Sequence, residues 1–377
     1  MVRRALAVGV LVGGASLVAT ACGGEDDDLA GSDPANGTGG SGSDGGAGAG
    51  GAGGASGASG AAGAAGAGGG LAGMRCGGTP PPGAPAPAAP RAYSAGTCPT
   101  LPTTTTADIA FTSGGNARAF TLALPADFQK GEQLPLVFLW HWLGGDANGF
   151  YERGEVQAAV DSQRFIAVIP TEKDDLLFTW PYSLIDSEAR LQEELTFFDD
   201  LHACVLEQVG GDPACVSSIG VSAVALFTDQ LAPRRADVLA NFVSLSGGVG
   251  GVIKPWTPAL RPLPGLVLWG GPTDDCIGLL KFEVGSRALE DALIAGGHFF
   301  VECVHNCGHA VPPFEAPTSF SKFKGMWDFV FDHPFWLPAG QSPYQETGVP
   351  ADLPAWCGIG QGGATPREGT CEDPSEC

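Results

Sequence analysis

Short apolar runs alternate with amphipathic stretches from residue 108 to residue 334. Every residue of the runs at 136–140 and 165–169 is apolar, which is typical of strands that are buried on both faces in the middle of a parallel sheet. Four further segments have the composition of strands. They are 215–220, 241–245, 266–269 and 299–304.

A hairpin and five helices complete the predicted elements. Two alternating segments, 108–111 and 119–124, flank a glycine-containing turn and predict the hairpin. Ser187 is a suitable N-cap for a long helix, because apolar residues recur at helical spacing from Leu191 to Val205. The other helices are predicted at 155–162, 223–232 (stopped by Pro233), 282–295 and 320–331. A hairpin followed by alternating strands and helices predicts an α/β sandwich with a mostly parallel sheet.

The N-terminus has the features of an export signal. A positive pair (Arg3 and Arg4) precedes a short apolar run, and small residues lie directly before Cys22. This pattern predicts a lipoprotein signal peptide at 1–22, with Cys22 as the lipidated first residue of the mature chain. An ordinary signal peptide with an incidental cysteine is the alternative.

Composition divides the rest of the chain into three parts. Residues 37–73 are almost entirely Gly, Ala and Ser, so 23–97 is predicted to be a disordered tether. One large folded domain is expected at 98–337. The remaining segment, 338–377, is rich in Gly and Pro and contains three cysteines, which predicts a loop held by disulfides.

Charge and cysteine content limit the possible functions. The chain has 19 Lys and Arg against 41 Asp and Glu, for a net charge of −22, which excludes nucleic acid as a partner because phosphate binding needs a basic face. Ten of the 11 cysteines remain when Cys22 is set aside. An even number in an exported protein implies disulfides. The candidate pairs are Cys204 with Cys215, and Cys276 with either Cys303 or Cys307.

Candidate catalytic residues follow three of the predicted strands, where active sites of such sheets lie. Ser222 lies in GVSAV at 220–224, in a turn that would expose a nucleophilic hydroxyl. A serine that only caps the following helix is the alternative. Asp274, with Asp275 as the second choice, could orient a histidine. His309 could then act as the general base.

Two further sets of residues have possible roles at this site. The loop HWLGGD at 141–146 follows another strand, and the backbone N–H of Trp142 or Leu143, with that of Ala223, could stabilise an oxyanion. Trp180, Tyr182, His141 and Trp142 could bind substrate, although packing is the alternative for each aromatic residue. The alternating Cys303, His305, Cys307 and His309 offer a zinc site as an alternative interpretation, but exported cysteines are usually oxidised, so no metal is expected.

The order Ser222, Asp274, His309, each after a strand, resembles the α/β-hydrolase superfamily. Within it, the chain is similar to secreted polyhydroxybutyrate depolymerases and feruloyl or acetylxylan esterases. That resemblance rests on the loops at 141–146, 220–224, 271–277 and 308–309 and on acidic and aromatic residues at 194–201. Trp142 and Val224 stand where the family usually has glycine.

The resemblance implies a serine esterase that forms an acyl-enzyme without a cofactor. Its substrate would be a carboxylic ester, either a polyester or a plant cell-wall carbohydrate ester, and it would be exported and attached to the cell envelope by its lipid. One alternative is an inactive hydrolase-like lipoprotein that binds ligands. Trp142 and Val224, which stand where the family usually has glycine, favour this alternative. Another is an amidase or peptidase with the same triad.

Overall fold

The computed structural model describes residues 70–371, except for 174, 176–179, 277–279, 316, 318 and 319. The predicted signal peptide, Cys22 and the glycine-rich part of the tether lie outside these residues. Within the described part, no helix is both long and apolar enough to cross a membrane.

A nine-stranded sheet forms the centre of the described chain, in the order β1-β2-β4-β3-β5-β6-β7-β10-β11. The six strands from β4 to β10 in this order are parallel, the β1–β2 hairpin pairs antiparallel with β4, and β11 is antiparallel to β10. The predicted α/β architecture with a leading antiparallel hairpin is confirmed. The strands of this sheet are β1 Thr106–Ser113, β2 Asn116–Ala123, β3 Leu136–Trp140, β4 Ile166–Pro170, β5 Val216–Val221, β6 Asn241–Leu245, β7 Gly265–Trp269, β10 Phe300–Val304 and β11 Cys357–Ile359.

Helices cover both faces of this sheet, because alternate residues of each central strand point to opposite sides. In β3, Phe138 and Trp140 belong to one apolar cluster, whereas Val137 and Leu139 belong to the other. A short antiparallel pair, β8 Asp275–Cys276 and β9 Leu280–Lys281, lies outside the main sheet. The helices are α1 Ala147–Arg153, α2 Val156–Gln163, α3 Glu188–Gln208, α4 Ala223–Arg234, α5 Phe282–Ala295, α6 Lys324–Phe331 and α7 Tyr344–Thr347.

Most predicted boundaries lie within a few residues of the observed ones. Ser187 caps α3 by accepting a hydrogen bond from the backbone N–H of Arg190. Helix α4, however, contains Pro233 instead of ending before it. A proline in the last turn removes one helical hydrogen bond and leaves the earlier ones intact. The pattern missed α1, α7 and β11, which are short elements with little periodicity.

The disulfide predictions are wrong in their pairing. Cys204 is bonded to Cys98, and Cys215 to Cys76. Two parts of the N-terminal segment supply these partners: Cys76 lies at α6, where its N–H donates to Phe331 O, and the residues that lead to Cys98 lie along α3. For example, Ser94 donates a hydrogen bond from Oγ to Asp200, and Arg91 lies 3.5 Å from Asp199.

The other predicted pairing also fails, because the C-terminal segment supplies the partners. Cys303 is bonded to Cys357, its direct neighbour in the β10–β11 register, and Cys307 to Cys371. Cys276 is also disulfide-bonded, but to neither predicted residue.

The tether therefore does not extend to residue 97, since residues 70–97 are attached to the domain. Likewise, the C-terminal segment is more than a loop, because it adds an edge strand to the sheet.

Candidate active site

Ser222 lies in the sharp turn between β5 and α4. Its backbone has φ 59° and ψ −130°, a combination that is unfavourable for a residue with a side chain. The hydroxyl forms no capping hydrogen bond with α4. Instead, Ser222 Oγ lies 2.7 Å from His309 Nε2. This arrangement argues against the alternative in which the serine only caps the helix.

Close contact between strand and helix makes glycine necessary at position 220. A Cβ atom there would lie 2.4 Å from both Val224 O and Thr228 Oγ1. Val224 has its side chain buried in the apolar core. The β-branched residue, which stands where the family usually has glycine, is therefore accommodated beneath the turn.

Asp274 and His309 complete a continuous chain of hydrogen bonds. His309 Nδ1 lies 2.7 Å from Asp274 Oδ1. The preceding strands β7 and β10 are parallel neighbours, so the loops that follow them lie side by side. The Asp274 carboxylate is 1% exposed, whereas Asp275, the second choice, begins β8.

The carboxylate determines which nitrogen of His309 carries the proton. An ionised carboxylate only accepts hydrogen bonds, so Nδ1 must donate to Asp274, and Nε2 is left to accept from the Ser222 hydroxyl. Phe282 stacks on the imidazole, with ring centroids 4.4 Å apart and planes at 13°. These two contacts hold the ring with Nε2 directed at the hydroxyl.

The predicted oxyanion residues lie around the same cavity. Trp142, Leu143 and Ala223 all line the pocket that contains Ser222. In the described part of the chain, their backbone N–H groups have no backbone acceptor, so the groups are available to a ligand. Gly145 accommodates the unusual Trp142, because a Cβ at 145 would lie 2.8 Å from the indole.

The pocket has a volume of about 250 Å³ and a mainly apolar lining. Tyr182 and Trp142 line it, in agreement with the expectation that they border a cleft. Tyr182 is almost fully buried, and burial raises the pKa of its hydroxyl. The phenol is therefore neutral and contributes an apolar ring to the wall.

Trp180 and His141 correct the substrate-binding prediction, because both are core residues. Trp180 is fully buried, with ring centroids 5.1 Å from Trp140 and 5.4 Å from Phe227. His141 is also fully buried, and its Nε2 lies 2.7 Å from Glu172 Oε2. Neither is among the residues that line the pocket.

The alternating cysteines and histidines do not provide the zinc ligands of the alternative interpretation. Cys303 and Cys307 use their sulfur atoms in disulfides, and His309 contacts Ser222 and Asp274. His305 is buried, and burial lowers its pKa to about 4. In the part of the chain that the structure describes, no group of three or more potential ligands could hold a metal ion.

Sequence reasoning missed two sets of residues at the site. Ser246 donates a hydrogen bond of 2.8 Å from Oγ to Asp274 Oδ2. It directly follows the apolar run at 241–245, so the rule that selected the three triad residues could have found it. Met326 and Trp327 line the pocket from α6, and an apolar helix face carries no signal that separates a pocket wall from core.

The sequence matches no family model and no curated protein. Solved structures nevertheless match the fold. The native crystal structure of sOPH is 16% identical, with a TM-score of 0.56 over 71% of this chain and 99% of that chain. The native pOPH structure is 15% identical, with the same TM-score and the same coverage. A ferulic acid esterase structure is 16% identical, with a TM-score of 0.44 over 55% of this chain and 93% of that chain.

At such identities the two OPH structures establish the fold and not the activity. Together with the sheet order and the turn at Ser222, they confirm the resemblance expected from the sequence: this chain has the α/β-hydrolase fold.

Proposed function

We propose that this protein hydrolyses carboxylic esters, with Ser222 as nucleophile, His309 as general base and Asp274 as the residue that orients and stabilises the imidazole. The observation that carries this proposal is the unbroken chain from Ser222 Oγ through His309 to Asp274, with a spacing of 2.7 Å at each contact. Both distances are within the range for proton transfer between positioned groups.

The reaction proceeds in two halves. Ser222 Oγ attacks the ester carbonyl carbon as its proton passes to His309 Nε2. The tetrahedral intermediate collapses when His309 returns that proton to the departing alcohol, which leaves the acid part bonded to Ser222. Water, deprotonated by His309, then attacks this acyl-enzyme and releases the acid. The serine recovers its proton from the imidazolium.

The negative charge on the carbonyl oxygen needs hydrogen-bond donors in the right place. Ala223, at the first turn of α4, supplies one backbone N–H, and Trp142 or Leu143 supplies another. Loss of one such donor typically costs about 3 kcal/mol of transition-state stabilisation. The helix N-terminus adds a favourable partial positive charge.

The test of this proposal compares the full chain with its Ser222→Ala variant. The wild type should hydrolyse p-nitrophenyl esters and be labelled by a fluorophosphonate, whereas the variant should lose both properties and keep its thermal stability. An unlabelled and inactive wild type would instead support the ligand-binding alternative. If anilides are cleaved as fast as matched esters, the protein is an amidase.

We also propose that the protein is exported and attached to the cell envelope through Cys22. Four disulfides in the described part of the chain support an oxidising location. Esters of polymers such as polyesters or cell-wall carbohydrates are candidate substrates, since a flexible tether would let an anchored enzyme reach them. Mass spectrometry of the N-terminal peptide tests the lipid.

A further inference from the structure

The lining of the pocket comes from both faces of the sheet, and the two parts differ in character. One part belongs to the core cluster on the side of α1 and α6. The other belongs to the cluster on the side of α4 and α5, and it includes Tyr182, Leu280 and Phe282. Ser222 and His309 lie where the two parts meet.

The part on the side of α1 and α6 is enclosed and apolar. Its walls are Phe150 of α1, Ile219 at the end of β5, and Phe323, Met326 and Trp327 at α6. Each of these five side chains is at most 6% exposed. None of them carries a carboxylate, an amide or a hydroxyl group. A polar group placed among them would lose its water and find no oxygen acceptor, and the buried indole N–H of Trp327 is the one strong donor that these five side chains offer.

Among the described residues that line the pocket, the single charged one lies at its entrance. Arg153 is exposed, and its guanidinium carbon is 5.1 Å from the centroid of the Trp142 ring. Leu143 is also exposed, at 40%. The pocket therefore passes from a partly polar rim to an apolar interior that is closed by α6.

An enclosed branch suits the acid part of an ester better than the alcohol part. The alcohol must leave while the acyl chain still occupies its part of the pocket, so the alcohol needs an open path of its own. The acid leaves last and can depart through the opening that the alcohol has vacated. Volume limits the length of this chain. The whole pocket, of which the branch is one part, has a volume of about 250 Å³, so it holds at most roughly eight groups of the size of a water molecule, which is close to that of a methylene.

We propose that the enclosed branch binds an unbranched aliphatic acyl chain of medium length, roughly six to eight carbons, and so makes the protein selective for medium-chain esters. This inference rests on the proposed ester hydrolysis. Each buried methylene should improve kcat/KM about fourfold until the branch is full. Longer chains would not fit in front of α6 and would lose this advantage. Hydroxylated aromatic acids would lose the hydration of their polar groups.

The test uses the full chain and a series of p-nitrophenyl esters from acetate to palmitate, together with p-nitrophenyl ferulate. We expect kcat/KM to be highest between six and eight carbons and at least tenfold above that for acetate and ferulate. A maximum at acetate, or a higher rate with ferulate, would overturn the inference while leaving ester hydrolysis intact. Absence of all hydrolysis and of fluorophosphonate labelling would instead contradict the proposed function.

Two substitutions at Met326, one to a larger and one to a smaller residue, test whether the acyl chain lies in the branch. Met326→Trp should move the preferred length down by several carbons. Met326→Ala should move it up. Leu280→Phe, on the other part of the lining, is the matched control and should leave the preferred length unchanged. If either folded Met326 variant keeps the wild-type profile, the acyl chain does not lie there and the proposal is wrong.

Discussion

At the scale of single residues, Asp274 has both carboxylate oxygens occupied by donors. Oδ1 faces His309, and Oδ2 accepts hydrogen bonds from Ser246 Oγ at 2.8 Å and from the Gly270 N–H at 2.7 Å. Ser246 has a positive φ of 51°, and its N–H donates to Leu268 O. Strand β7 thus holds the backbone of Ser246. Ser246 also lines the pocket, and we infer that its main role is to position the carboxylate.

Replacement of Ser246 should therefore affect the reaction rate more than substrate binding. We expect Ser246→Ala to lower kcat by about tenfold to a hundredfold, since a hydrogen bond to a charged group contributes about 1.5–3 kcal/mol. KM should change less than threefold. Steady-state kinetics on a medium-chain ester measures both constants.

The matched control for this prediction is Ser244→Ala, two residues earlier on β6. Ser244 is also buried, but it donates to Asp229 and not to Asp274. It should lose thermal stability and keep kcat within about threefold. Equal losses of kcat in the two variants would show that Ser246 acts only through general packing.

The residue scale also shows where sequence reasoning was sufficient. Ser222, Asp274 and His309 could be selected because each follows a strand and occurs in the required chain order. Trp180 could not be assigned, because a tryptophan in a loop has the same local pattern whether it packs in the core or borders a cleft. Only its contacts with Trp140 and Phe227 distinguish the two cases.

At the scale of elements, the segment 367–371 is bound to the loop that carries His309. Cys371 is bonded to Cys307, and the Arg367 side chain lies 2.6 Å from Asn306 Oδ1. Asn306 Nδ2 donates to Gly369 O, and the Arg367 N–H donates to Val304 O. These contacts restrain the loop within three residues of the proposed general base.

Removal of the Cys307–Cys371 disulfide should reduce activity strongly and thermal stability only slightly. We expect the double variant Cys307→Ser with Cys371→Ser to lower kcat by about tenfold, because the imidazole is less well held. Its thermal midpoint should fall by only a few degrees. Kinetics and thermal unfolding of the same preparation test the two statements together.

The Cys98–Cys204 disulfide provides the comparison for this variant. It joins the N-terminal segment to α3, away from the loops of Ser222, Asp274 and His309. The double variant Cys98→Ser with Cys204→Ser should lose stability but keep kcat. The prediction fails if both double variants lose the same fraction of kcat.

At the scale of the whole molecule, buried ionisable groups shape the pH dependence of stability. Burial raises the pKa of Asp229 to about 8, and burial with the nearby Glu302 raises that of Glu290 to about 8. Burial lowers the pKa of His202, His305 and His333 to about 4. The raised carboxyl pKa values make the folded state hold two protons that the unfolded state releases. The lowered histidine pKa values make the folded state release three protons that the unfolded state holds.

The free energy of unfolding should be highest near pH 6.5. Between about pH 4 and 6.5, the unfolded chain binds protons on the three histidines that the folded chain does not, and this outweighs the two carboxyl protons held only by the folded chain. Stability therefore rises with pH in this window. Between 6.5 and 8 only the carboxyl groups differ, so stability falls as pH rises.

Denaturant titrations from pH 5 to pH 9 test this prediction. Glu290→Gln should reduce the fall above pH 6.5 by about half. Glu207→Gln, an exposed residue on α3, should leave the profile unchanged. An equally steep fall in Glu290→Gln would mean that Glu290 does not retain its proton in the folded state.

The sequence by itself determined the order of elements, the fold class and the identity of the three residues that meet at Ser222. Each of these depends on local patterns: apolar runs, helical periodicity, and chemistry placed directly after a strand. These local patterns follow from the geometry of strands and helices. They can therefore be recognised in the sequence without knowing which segments pack against one another.

Only the tertiary structure decided the disulfide pairs, the enclosed apolar branch and the residues that support Asp274. Cys98 reaches Cys204 across 106 positions, and Cys307 reaches Cys371 across 64. Such contacts depend on where the termini lie on the folded domain. An apolar side chain on α6 has the same sequence pattern whether it faces the core or a pocket, so packing alone separates the two.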